Sequence, residues 1–260
     1  MKKNFKSLGL TVVFFFIIAV SFFCLNPNIA NAESQFKVGQ KYSGLIQLQK
    51  NGRSMQIPLP QGEWVVSGLE EKQSPTSKSN MVKVYLFNFD KIRKIVKGVI
   101  VFWFPNENFS LGWAADKWCN RKNHLYKKVK NNYASTNIDC WGVHFARMTS
   151  SKYQAAIDSL AYAHSNGYKV PINTVFARFK KVEYAETLQI SYYFNPEVEG
   201  ISSPEYSDTN NSDYHPTRIG QYPDKKKYVD KIVDWAKNWN KFVDLGFEGK
   251  LTASQMSSGK

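Results

Sequence analysis

The chain is poor in cysteine, histidine and acid: three Cys, four His and 21 Asp+Glu against 35 Lys+Arg in 260 residues. No His-x-x-x-His or His-Glu-x-x-His unit occurs, so the usual zinc-hydrolase motif is absent. A Gly-x-Ser-x-Gly elbow and a glycine-rich phosphate cradle are also missing. Only one long apolar run exists, near the start, so a polytopic membrane protein is excluded; composition equally excludes collagen-like and coiled-coil chains. These absences lower the expectation of an enzyme without removing it, since catalytic groups need not be neighbours in sequence.

That one run begins with Lys2, Lys3 and Lys6, continues apolar from Leu8 to Leu25, breaks at Asn26-Pro27-Asn28 and ends in Ala30-Asn31-Ala32. This is the three-part pattern of a secretory signal over residues 1–32, with cleavage expected between Ala32 and Glu33. A lipoprotein fits less well, because Phe22-Phe23 precedes Cys24 where a small residue is wanted. An uncleaved anchor is the alternative, and the only membrane contact expected. Losing the segment removes three lysines and no acid, so the positive balance belongs to the remainder.

Only Cys119 and Cys140 then remain, and in an exported chain the pair favours a disulfide. A metal pair lacks Cys-x-x-Cys spacing, and a nucleophilic thiol would not persist in an oxidising compartment. No metal or cofactor is expected.

Residues 33–251 read as one α+β domain: an antiparallel sheet, about two packed helices and one disulfide. From Phe36 to Phe104 the texture is β, with strands at Ser43–Gln49, Ser54–Leu59, Gly62–Gly68, Met81–Phe89 and Val99–Phe104, and a hairpin signal at Asn51-Gly52. The last two strands are apolar on both alternating faces, as if covered on both sides. Residues 112–149 resist classification and read as a disulfide-tied loop region. Ser151–Ser165 has helical spacing, with Tyr153, Ala156, Ile157, Leu160 and Ala163 on one face and Gly167 as a left-handed stop. Pro171–Lys180 and Glu183–Phe194 return to β, and Glu197–Gln221 reads as a polar surface loop. The clearest helix starts at Tyr222-Pro223-Asp224, places Tyr228, Ile232, Trp235, Trp239 and Phe242 on one stripe, and is expected to stop at Gly246. Residues 252–260 read as a flexible tail.

Between the cysteines, Arg121, Lys122, Lys127, Lys128 and Lys130 face only Asp139, interleaved with His124, Tyr126 and Tyr133. A loop tied at both ends would hold cations at reduced entropy cost for an anionic ligand. The candidate binding residues are therefore Arg121, Lys122, His124, Lys127, Lys128 and Trp141; the bland alternative is a solvated loop. Nucleic acid is not an expected partner, since no recognition module is present. Trp103, Trp235 and Trp239 read as core, and Trp141 as packed on the neighbouring disulfide, while Trp113 and Trp118 stay open between core and a sugar-binding surface. Asp213-Tyr214-His215-Pro216 reads as a surface turn or, alternatively, an acid–base pair. No catalytic residue is nominated.

Ile57-Pro58-Leu59-Pro60 with Gly62-Glu63-Trp64, Cys140-Trp141-Gly142-Val143, Asp213-Tyr214-His215-Pro216 and Gly246-Phe247-Glu248-Gly249-Lys250-Leu251 together resemble a family of uncharacterised exported proteins of Gram-negative bacteria. The resemblance implies export and a shared fold, and no activity. The resulting expectation is a periplasmic or secreted, non-catalytic binder of an anionic envelope polymer. A cell-envelope hydrolase using the His215 region and an assembly protein docking on a protein partner are the alternatives.

Overall fold

The computed structural model describes residues 35–50, 53–73, 80–105, 113–133, 137–148, 153–184, 186–206 and 208–257. The expected signal segment and the Asn51-Gly52 turn lie outside these.

Among the described residues ten strands and four α-helices follow in the order β1 (Lys41–Tyr42), β2 (Leu45–Lys50), β3 (Arg53–Pro58), β4 (Trp64–Gln73), β5 (Asn80–Asp90), β6 (Ile95–Pro105), α1 (Lys117–Asn120), β7 (Tyr126–Tyr133), β8 (Asn137–Arg147), α2 (Gln154–Ser165), β9 (Asn173–Glu183), β10 (Glu186–Phe194), α3 (Pro223–Phe247) and α4 (Ala253–Ser257). Eight strands form one antiparallel sheet in the order β1-β4-β5-β6-β10-β9-β8-β7, and β2–β3 is a separate hairpin. The sheet is two meanders joined at β6 and β10, where Phe102 pairs with Ile190. The α+β expectation, with two packed helices and one disulfide, is the observed architecture. Among the described residues no helix is long and apolar enough to cross a membrane.

One sheet face carries the main core. Val84, Leu86, Ile100, Phe102, Ile190, Tyr192, Phe179, Trp141 and Val143 point to it, and α3 and the hairpin lie across it. The α3 stripe is as its spacing demands: Tyr228, Ile232, Trp239 and Phe242 are buried, and Trp235 packs edge-on against Tyr192 and Phe194, at 5.3 and 4.8 Å between ring centres. Tyr192 also donates a hydrogen bond to the Pro58 carbonyl (2.9 Å), tying the sheet to the hairpin. The helix does not stop at Gly246. It continues to Phe247, and a Cβ at position 246 would run into the Gln56 carbonyl, so glycine is there for close approach to β3. The left-handed turn falls later, at Gly249 (φ +72°).

The opposite face is only partly covered. At the β4–β5 side, α2 presses Ala155 and Ser159 against Gly68, where any side chain would collide with the Ala155 carbonyl. The buried residues of α2 are therefore the small Ala155, Ala156, Ser159 and Ala163, while Tyr153 and Ile157 stay exposed. The expected apolar stripe is rotated because the close crossing selects for size.

The segment 112–149 holds the largest departure from expectation. Most of the presumed loop is the β7–β8 hairpin, with Lys127, Lys128 and Lys130 on β7, the outermost strand. Lysines are common on such edges, since they discourage further strand pairing. Cys119 and Cys140 are bonded, with Cα atoms 6.0 Å apart, and fix α1 against β8. Trp141 points to the face opposite Cys140, stacked near Phe179 and Tyr126, so it packs in the main core and not on the disulfide.

The stretch after β10 is not a simple surface loop. It coils through three 3₁₀ turns and buries Tyr214 completely, with Asp213 bonded to the buried Lys225 (2.5 Å).

Candidate functional site: a cationic groove on the open sheet face

Strand register explains what the open face contains. Side chains alternate between faces, so the residues opposite the main core fall into rows across the sheet. One row runs Glu70, Lys83, Trp103, Gln189, Lys180 and Cys140 from β4 to β8. The next runs Gly68, Tyr85, Val101, Ser191, Arg178 and Gly142, and a third ends Tyr193, Phe176, His144. Helix α2 walls the β4–β5 side, and the α1 segment with Trp113 and Trp118 walls the β8 side. Between them, over β6, β10 and β9, lies a groove.

The groove holds three adjoining cavities. The middle one, about 290 Å³, is lined by Lys83, Arg178, Ser191 and Tyr153 among others. A second, about 250 Å³, shares Arg178 and Tyr193 with it and adds His144, Arg121, Trp118 and His215. The third, about 490 Å³, shares Lys83, Trp103, Tyr153 and Gln189 and extends to Met81, Trp113 and Lys180.

Lys83 is only 5 % exposed. Its ammonium lies 3.1 Å from the Tyr153 ring centre, 4.6 Å from Trp103 and 5.1 Å from Tyr85, a cation–π cage. Burial pulls its amine down to about 7; Arg178 and Lys72 add to this and Glu70 opposes it. Arg178 leans towards the same spot, donating from Nε to Ser191 Oγ (2.9 Å), with its guanidinium 5.3 Å from the Trp118 ring and 5.2 Å from Phe176. Lys180, half-buried beside Trp113 (5.7 Å), is pulled down to about 8 by burial, with Asp116 opposing. Among the described residues none of these three cations makes an ion pair. The lysines buried elsewhere are paired: Lys181 bonds Asp139 (2.5 Å) and Asp244, and Lys225 bonds Asp213. Groups of such charge are expensive to bury alone.

His144 is 5 % exposed, its Nδ1 buried without a partner. Burial first, and then Arg121, His124, Arg178 and His215, hold its pKa down to about 3, so the ring is neutral at ordinary pH. His124 Nε2 bonds the Trp118 carbonyl (2.8 Å) and its ring lies 5.5 Å from His144. His215 bonds Thr217 Oγ1 through Nδ1 (2.8 Å). Among the described residues no cluster of three His, Cys, Asp or Glu is arranged to hold a metal ion.

The residues singled out from sequence scatter around this groove. Arg121 lines the second cavity and His124 stands behind it. Lys127 is exposed and donates to the Arg121 carbonyl (3.0 Å), Lys128 projects from the edge strand beside Trp141, and Lys122 is exposed next to Arg121. None of these three lines the cavities. Trp141 lies in the main core, on the far side of the sheet. Trp103, read as core, is a half-buried wall of the groove. Lys83, Arg178 and Lys180 escaped notice, although Phe176-Ala177-Arg178-Phe179-Lys180 places two cations two residues apart, hence on one face of a strand.

Fold and site together define an antiparallel-sheet protein with a cationic, aromatic-lined groove on one face, able to surround a small ligand and neutralise its negative charge. No family model, curated protein or solved structure matches the chain, so the functional reading rests on this geometry.

Proposed function

We propose that this is an exported, non-catalytic binding protein, periplasmic or secreted, whose groove holds an anionic component of the cell envelope. One observation supports the reading above all: Lys83, Arg178 and Lys180 converge on one groove, and among the described residues none has a carboxylate within ion-pair distance, Glu70 and Asp116 lining the same groove without pairing with them. An anion entering between Lys83 and Arg178 would replace the missing counter-charge, and charge-assisted bonds to a guanidinium are among the strongest available. Neutral aromatic surfaces on three sides lower the local dielectric and strengthen the attraction. The Cys119–Cys140 bond accords with an oxidising compartment, as do the signal pattern in residues 1–32 and the resemblance to exported proteins.

The test is a fluorescence titration, since Trp103, Trp113 and Trp118 line the groove. Carboxylate, phosphate and sulfate probes are compared with uncharged analogues of equal size, for the natural protein and for Lys83→Gln with Arg178→Gln. Anionic probes should bind at least tenfold tighter than neutral ones, lose affinity with added salt, and lose at least tenfold in the double variant. Equal binding of neutral and anionic probes, or an unaffected double variant, contradicts the proposal.

A further inference from the structure

The two ends of the groove differ in chemistry. At the end near Arg178 the floor is polar: the Ser191 hydroxyl, the guanidinium and the neutral His144 ring. At the other end the 490 Å³ cavity sits on an apolar cluster that includes Met81, Trp113, Ile138 and Val182, with the disulfide among them, and Trp103 forms its wall. Around that apolar floor the lining also carries Glu70, Lys72, Asp116, Lys117 and Lys180, the last with its ammonium 5.7 Å from the Trp113 ring centre. Ala114 and Ala115 leave the mouth open. Lys83 and Trp103 belong to both ends, so the change from polar to apolar occurs within one continuous space.

Building on the anion-binding reading above, we infer that the natural ligand is a single-chain anionic amphiphile, with its carboxylate or phosphate between Lys83 and Arg178 and its alkyl chain over Trp103 into the cavity beside Trp113. Three competing ligands fit less well. A bare small anion leaves the apolar cavity unfilled, forfeiting burial at about 25 cal/mol per Å². A neutral lipid leaves Lys83 and Arg178 without an ion-pair partner among the described residues, with only Glu70 nearby to offset the first. A regularly charged anionic polymer would bring negative groups beside Glu70 and Asp116 and over the apolar floor at Met81 and Trp113. The cavity's volume lies within the range of about 300–1,000 Å³ common for small-molecule sites, which are mainly apolar with a few fixed polar groups.

The experiment titrates the full mature protein, below micellar concentrations, with dodecanoate, dodecyl phosphate, dodecanol, acetate and inorganic phosphate, following tryptophan emission. Expected is saturable binding of dodecanoate or dodecyl phosphate at least tenfold tighter than dodecanol and than the matching short anion; the better of the two chains identifies the head group. Arg178→Gln should weaken the chain-bearing anion at least tenfold. Ala115→Glu, a change at an exposed position that places charge in the cavity mouth, should weaken it similarly while leaving the short anions unaffected. Short anions binding as tightly as their chain-bearing counterparts overturns the amphiphile but leaves anion binding standing. Dodecanol binding as tightly as dodecanoate overturns both, as does a lack of saturable binding by every probe. Unchanged dodecanoate affinity in Ala115→Glu removes the assignment of the chain to this cavity.

Discussion

Replacing Lys83 by methionine should make the protein more stable, an unusual outcome for a change inside a sheet. Methionine keeps the unbranched body that packs between Tyr85, Trp103 and Tyr153 and deletes the charge. The folded protein holds this amine at about 7 against an ordinary 10.5, so the charged form carries a penalty of roughly 4–5 kcal/mol. The aromatic cage returns about 1–2 kcal/mol of that. Lys83→Met should therefore gain about 3 kcal/mol at pH 6, or roughly 6–12 °C in Tm for a chain of this size. The sign of the pH dependence follows from linkage. Below pH 7 both folded and unfolded chains hold the proton and the penalty is complete. Between pH 7 and 10.5 the unfolded chain binds more protons than the folded one, so the natural protein gains stability as pH rises. The advantage of the variant should thus shrink by roughly 2–3 kcal/mol from pH 6 to pH 9. Urea unfolding of both proteins at pH 6, 7.5 and 9, followed by circular dichroism, measures this directly. A variant less stable than the natural protein at pH 6, or a gap independent of pH, would refute the reasoning, because it would mean that Lys83 is a structural cation already compensated within the fold. A stabilised variant that has lost anion binding would display the trade of stability for function expected at a binding site.

Gly246→Ala should destabilise the fold by about 1–3 kcal/mol, since the added methyl meets the Gln56 backbone and pushes α3 off β3; urea midpoints measure it, and a neutral effect would deny the close approach. Removing the disulfide by Cys119→Ser with Cys140→Ser should cost about 3 kcal/mol for its loop of 21 residues, seen as a lower denaturant midpoint matched by adding reductant to the natural protein. Asp213→Asn should cost about 3 kcal/mol at pH 7 by leaving the buried Lys225 without its counter-charge. Burial opposes ionisation of Asp213, but its bond with Lys225 prevails and holds the carboxyl below the ordinary range; the natural protein therefore loses this contribution as pH falls through and below that range, whereas the variant has none to lose, so the two stability curves should converge in acid.

The elements that could be read from sequence are those whose pattern has one cause. Helix α3 docks one face on a flat sheet, and its large residues repeat every three to four positions accordingly. Strands β5, β6, β9 and β10 are dense in β-branched and aromatic residues and were legible as strands. Reading β5 and β6 as apolar on both faces concealed Lys83, and Arg178, Gln189 and Ser191 drew no reading of their own in β9 and β10, each of the four being isolated between apolar neighbours along the chain. They become a group only when register aligns four strands, and register is a long-range property. Strand β7 was illegible for the opposite reason: an edge strand needs little burial, so Lys127, Lys128 and Lys130 make it look like a solvated loop. The small-residue face of α2 was hidden because the sequence does not announce how closely a helix will cross a strand, and only Gly68 on the partner reveals it.

The Cys119–Cys140 link has a temporal consequence. It anchors the α1 segment, which carries Trp118 and adjoins Trp113, to the strand forming the far bank of the groove. A newly made chain with both sulfurs still protonated has the strands of the floor but a loosely held bank, so capture of a guest should improve sharply once the thiols are oxidised. Under the export and anion binding proposed above, loading would be deferred until the polypeptide has left the compartment where it was synthesised, and premature capture of cytosolic anions would be avoided without any separate gate.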